Sequence, residues 1–259
     1  MRNIWAIFKR EMRAYFISPM AYALYVVFLL LSGYFFTIGM SWYAKISVSA
    51  MQDRQYGGGL PPFTELVFRG LLGDMSIVLL LMVPLLTMRL FAEEKKMGTM
   101  ELLLTYPIRD IEVVLGKFFA ALAVIGLMLV LTFSYPLLAR YVVGDQVEYA
   151  VIMSGYLGLF LQMAAFIAIG IFLSSMTENQ IVAGVVSFGA LLLVWVVGWG
   201  EQLISGVIGK ILAQVSLLNH FEDFSKGVID TGHVAYYVLF SVFFLFMTLR
   251  VLDSNKWRG

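Results

Sequence analysis

Cysteine is absent from the 259 residues, and histidine occurs only twice, as His220 and His233. Without thiols the chain forms no disulfide, thiolate nucleophile, iron–sulfur cluster or Cys-based zinc site. Two imidazoles are also too few for a histidine-built metal centre, so neither a metal site nor a cofactor is expected in the chain. Charge is scarce as well: 14% of residues are charged against 61% hydrophobic, and 18 basic against 17 acidic side chains leave a formal +1. Soluble domains carry about a quarter charged residues, so the composition excludes one. The near-neutral balance excludes a surface that neutralises many phosphates, and with it a nucleic-acid partner. A nucleotide-binding loop is missing too. Gly116-Lys117 and Gly209-Lys210 are the two Gly-Lys pairs, and Ile111 and Ile204 stand where the loop's first glycine belongs. ATP hydrolysis through such a loop therefore does not belong to this chain, and it is not read as an enzyme.

What the chain has is apolar length. A helix crossing the hydrocarbon needs about 20 largely apolar residues, and six stretches qualify, over roughly 22–40, 71–91, 118–139, 149–176, 179–199 and 234–252. The fold class is an all-α polytopic membrane protein, read as one transmembrane domain over 1–259. The first span is too long for the apolar region of a secretory signal and reads as an uncleaved anchor. Arg89 is expected to snorkel from the end of the second span. With the N-terminus inside, the inner segments hold Lys9, Arg10, Arg13, Lys95, Lys96, Lys117 and six further Lys or Arg, twice as many as the outer ones. Both termini are thus expected to face the cytoplasm, in a cytoplasmic (inner) membrane.

Before the first span, Ile4, Trp5, Phe8, Met12, Tyr15 and Phe16 form one apolar arc with Lys9, Arg10 and Arg13 opposite. This predicts a helix over 1–18 lying in the membrane interface, broken at Ser18-Pro19. The stretch 41–74, with Gly57-Gly58-Gly59 and Pro61-Pro62, reads as an external loop. Residues 92–105 read as a short cytoplasmic helix. The glycine-broken stretch 201–232 reads as an external pair of short helices dipping into the outer leaflet.

No ionisable side chain lies in the central part of any span, which disfavours ion-coupled transport and intramembrane acid–base chemistry. Gln162 is the best internal polar group, and an interhelical hydrogen bond is its plain reading. An apolar interior suits a lipid-like or amphiphilic cargo. His220, Glu222 and Asp223 cluster outside and read as polar anchoring ahead of weak metal binding. A path at a dimer interface would be lined by Tyr22, Tyr25 and Phe28 of the first span, by Gln162, and by Gly184 and Gly189 of the fifth.

The segment after the second span is the strongest positive signal. On a helix, Glu94, Gly98 and Glu101 fall on one stripe, two carboxylates with no side chain between them, beside an apolar run at Leu102, Leu103 and Leu104. The residues alone leave two readings open, a partner-docking surface and a solvated juxtamembrane helix. The run Arg89 to Thr105 (RLFAEEKKMGTMELLLT), then Pro107 and Val114 to Phe118 (VLGKF), resembles the coupling segment of permease subunits of type-2 ABC exporters. Ser174 to Ile181 (SSMTENQI) is similar to that family's loop between spans four and five, and Asn219 to Asp230 (NHFEDFSKGVID) to its segment before span six. The wording is closest to the gliding-motility and copper-enzyme-maturation branch.

The resemblance implies a dimer, of two copies or a copy and a paralogue, driven by a separate cytoplasmic ATPase that holds the ATP and Mg, with an external accessory subunit a further partner. It implies that the coupling contact includes Glu93, Glu94, Lys95, Gly98, Thr99, Glu101, Leu102 and Leu103, with Glu94 and Glu101 meeting basic residues of the ATPase. A second contact falls on Ser175, Thr177, Glu178 and Asn179. The resemblance makes 1–18 the family's elbow and 201–232 its external gate, with His220, Phe221, Glu222 and Phe224. Two rivals remain, a membrane scaffold and a lipid-modifying enzyme that would need His220, Glu222, Asp223 or Asp230.

Overall fold

The computed structural model describes residues 2–52, 62–99, 108–198, 214 and 216–256. These residues are mostly helical, with no strand among them, and six of the helices are long and apolar enough to cross a membrane. The elements are α1 (Arg2–Ile17), α2 (Pro19–Gln52), α3 (Gly70–Thr87), α4 (Arg89–Lys96), α5 (Asp110–Thr132), α6 (Ser134–Val143), α7 (Tyr149–Met176), α8 (Gln180–Val197), α9 (Leu217–Ser225) and α10 (Thr231–Lys256). A π-helical turn, Glu65–Arg69, leads into α3.

The centre of the bundle is α3, α5 and α7, whose most apolar windows are 61–72% buried, while those of α2, α8 and α10 are only 17–22% buried. Leu79, Val83, Val124, Met128, Met163 and Phe166 make up its middle. Several polar groups there are spent on one another, as the absence of water favours. Tyr25 donates to Val124 O at 2.9 Å, Tyr156 and Thr132 share a 3.0 Å hydrogen bond, and Ser76 donates to Gln162 Oε1 at 2.9 Å.

Three boundaries differ from the sequence reading. Helix α2 does not stop near residue 40 but continues to Gln52, because Ser41 to Gln52 contains no glycine or proline to break it. The third span begins at Asp110, eight residues before its uncharged run. Its first turn carries Asp110 and Glu112, which suit a helix N-terminus, and Glu112 accepts from Arg109 N at 3.2 Å. The helix expected over 92–105 ends at Lys96. Gly98 takes φ +66°, a conformation that closes helices and that other residues enter at a cost. Glu94 and Gly98 therefore do not lie on one continuous helix, and Glu101 lies outside the described residues.

Candidate functional site: a charged clasp beneath the bundle

Helix α1 brings its apolar arc onto α5, but the arc is not wholly apolar. Ile7, Glu11 and Tyr15 recur at four-residue spacing and are all buried. The approach is close because α5 offers Gly116. A Cβ there would stand 2.7 Å from Ile7 Cγ2 and 3.2 Å from the carbonyl of Ile4. One residue on, Lys117 is 1% exposed. Its Nζ lies 3.0 Å from Glu11 Oε1 and 3.0 Å from Glu94 Oε1, and 5.2 Å from the centre of the Phe91 ring. Arg10 closes the figure, 2.6 Å from both Glu11 and Glu94.

Two cations and two carboxylates thus alternate in a clasp that joins α1, α4 and α5. It has no net charge, which makes burial at a membrane boundary tolerable. Burial pushes the Glu11 carboxyl up, but Lys117 and Arg10 outweigh it and hold it below the usual carboxylate value. Arg10 is half exposed. Burial lowers its proton affinity and Glu11 and Glu94 more than restore it, leaving it raised. Arg89 does not snorkel freely: its guanidinium stacks 4.5 Å over the Tyr15 ring, and the Tyr15 hydroxyl donates to Leu86 O at 3.1 Å. Burial first, then Glu11, raises the proton affinity of that hydroxyl.

A second tie fixes α4 to the end of α7. Pro84 cannot donate and crowds the preceding turn, and α3 gives way to α4 at Met88. Ser174 of α7 sits at this break: its Oγ accepts from Phe91 N and Ala92 N, both at 3.2 Å, and donates to Met88 O at 3.0 Å. Lys95 Nζ donates to Ser175 O at 2.6 Å. Beyond α7, Asn179 caps α8 by accepting from Ile181 N at 2.9 Å and Val182 N at 3.4 Å, with Thr177 beside it accepting from Asn179 N. The coupling stretch and the 174–179 turn are therefore neighbours in space.

The expected site residues divide accordingly. Glu94 is turned into the chain toward Arg10 and Lys117, so its Oε1 is not an outward contact, because intramolecular cations reach it first. Glu93 and Lys95 are half-buried, Lys96, Met97, Gly98, Thr99 and Glu178 form or border the exposed end, and Thr99 donates to Glu94 O at 3.2 Å. Glu101, Leu102 and Leu103 lie outside the described residues. The substrate-path residues do not converge on one channel within the chain: Tyr25, Phe28 and Gln162 are buried in the bundle, Tyr22 is exposed on α2, Gly184 packs against Met88, and a Cβ at Gly189 meets nothing. Lys117, Arg10, Glu11 and Ser174 were not among the expected functional residues. The signals for Lys117 were its place beside a long apolar run and within the Val114 to Phe118 stretch.

At the other end of the bundle, the expected gate residues fall on α9, while 199–213 lie outside the described residues. Phe221 and Phe224 are buried, and Glu222 pairs with Arg69 at 3.0 Å. The two histidines meet: His220 stacks on Tyr236 at 3.9 Å and lies 4.8 Å from His233, whose Nε2 is 2.9 Å from Asp223 Oδ2. Burial, followed by a smaller effect of His233, lowers the proton affinity of His220 against the pull of Ser216 O and Asp223. No group of three metal-ligating side chains occurs among the described residues.

A six-span helical bundle with a short helix clasped beneath it and an amphipathic helix packed at its foot is the build of a polytopic membrane protein. Residues 5–230 match the family described as ABC-2 family transporter protein, and the chain belongs to that family. The match identifies a membrane permease subunit of an ABC transporter and does not extend to the gliding-motility or copper-enzyme-maturation branch. A comparison with curated proteins returns no match.

Proposed function

We propose that this chain, lying in a cytoplasmic membrane with both termini inside, works as a dimer with a separate cytoplasmic ATPase that binds ATP and Mg. In this reading α4, with Met97 to Thr99 and the 177–179 turn, receives the ATPase. The observation that carries it is the clasp. A helix of eight residues is marginal alone, yet α4 is fixed to α1 and α5 by Arg10, Glu11, Lys117 and Glu94, and to α7 by Ser174 and Ser175. Force on α4 then moves three parts of the bundle together, as conformational coupling through rigid contacts requires. The clasp also changes the role of Glu94, which positions α4 while exposed neighbours meet the partner. The apolar outward faces of α2 and α8 suit contact with a second copy or lipid, and the uncharged bundle suits an amphiphilic or lipid-linked cargo.

The test is copurification from native membranes, comparing wild type with Lys96→Glu plus Met97→Asp, two exposed positions outside the clasp. An ATPase retained near one to one by wild type and lost by the variant, with unchanged thermal stability, is the expected outcome. Equal retention refutes docking on α4, and no ATPase with either protein, even after crosslinking, removes the motor from the reading.

A further inference from the structure

Beside the contact between the first half of α1 and α5, the two helices border a cleft of about 280 Å³ walled by Ile4, Trp5, Phe8 and Phe119. Its lining is almost wholly apolar, yet it opens at the surface: Trp5 is 59% and Phe119 46% exposed. Trp5 stacks on Phe8 with ring centres 5.1 Å apart, giving the cleft one rigid wall. Lys9 Nζ lies 5.8 Å over the same Trp5 ring, which places an ammonium at the mouth.

The charges of α1 are divided. Arg10 and Glu11 are consumed by the clasp, whereas Lys9 and Arg13, one turn apart and both exposed, have no carboxylate within ion-pair distance among the described residues. On α5, Glu112 is engaged by Asn3 Nδ2 at 2.9 Å and by Arg109 N. An apolar slot beside two uncompensated cations at a membrane boundary has the complementarity of one ligand class. We infer that this cleft is a binding site for an anionic phospholipid of the leaflet that holds α1, with an acyl chain between Trp5 and Phe119 and the phosphate held by Lys9 and Arg13.

The site has a structural consequence. The lipid would rest on the outer side of the helix whose inner side carries Glu11, so its occupancy would press α1 onto α5 and steady the clasp. This depends on the position of α1 at a membrane surface and not on which partner drives the chain, so it can fail while the ATPase reading stands.

The test is native mass spectrometry of the full chain in detergent with equimolar phosphatidylglycerol and phosphatidylcholine of identical acyl chains. Each cation near an anionic surface contributes about fivefold in binding. Wild type is expected to retain phosphatidylglycerol at least tenfold over phosphatidylcholine, and Lys9→Gln plus Arg13→Gln to lose most of that preference. Phe119→Ser, at a half-exposed position, should lower retention of phosphatidylglycerol severalfold without unfolding the chain. Arg140→Gln, removal of an exposed cation at the far end of the bundle, should change nothing. No preference in wild type overturns the site outright, and an equal loss with Arg140→Gln overturns it by showing binding through general charge.

Discussion

Replacing Lys117 by methionine tests the clasp most directly. The side chain is similar in length and apolar, so the change removes charge with little loss of packing. It leaves Glu11 and Glu94, each 3.0 Å from the vanished ammonium, sharing Arg10 alone, with Glu94 Oε2 already buried and unpaired. Removing one partner of a buried ion pair costs about 3–5 kcal/mol, because the remaining charge keeps its desolvation penalty. For a chain of this size 1 kcal/mol moves the melting point by about 2–4 °C, so Lys117→Met should melt roughly 10 °C lower. The assay is thermal unfolding in detergent at fixed lipid content, followed by tryptophan fluorescence and checked by size exclusion. The second variant is Lys117→Met with Glu94→Gln, which restores neutrality around the Arg10–Glu11 pair. It should recover about 0.5–3 kcal/mol relative to the sum of the single changes, the range of coupling seen for residues in one network. A Lys117→Met protein melting within about 1 °C of wild type, or strictly additive single effects, would refute the view that these four charges act as a unit.

Acid should loosen the same region. Glu11 titrates below its ordinary value of about 4.3, so its contribution is complete above that pH and disappears as pH falls through the lower folded value; melting curves from pH 7 to 3 should show this, and Glu11→Gln should flatten them. Gly116→Ala should cost about 1–3 kcal/mol through overpacking against Ile7, and Ile7→Ala in the same chain should recover part of it in the thermal assay. Ser174→Ala should strand the amides of Phe91 and Ala92, costing about 1–3 kcal/mol, and hydrogen exchange should report it as local opening of α4. At the far end, the folded state holds His220 below its ordinary value near 6.5. Stability there should fall as pH drops through that value, and His220→Phe should remove the dependence in amide exchange of α9.

The spans could be read from the sequence because lipid imposes a simple rule, about 20 apolar residues without interruption. The foot of the bundle could not be read in the same way. Periodicity correctly grouped Ile4, Phe8, Met12 and Tyr15, but Glu11 lies on that same arc, and its partner Lys117 is 106 positions away. No local pattern announces a charge destined for burial when its counter-charge comes from another helix. Glu94 is the converse case. Its place four residues before Gly98 suggested one shared helical face, but α4 ends at Lys96 and Gly98 takes a positive φ. Ser174 stood in a recognised stretch, yet its role depends on the break between α3 and α4 lying beside the end of α7, 83 positions on from Phe91.

The continuation of α2 to Gln52 makes it a lever. At 1.5 Å per residue its 34 residues extend about 51 Å, against a hydrocarbon thickness of roughly 30 Å. Its base lies next to Ile17 at the end of α1, the helix held by the clasp. A pivot of only 5° at Pro19 would sweep the far tip through about 4 Å, more than most side-chain rearrangements achieve. Small movements imposed at one membrane face would arrive enlarged at the other, carried by the rigidity of a single uninterrupted helix.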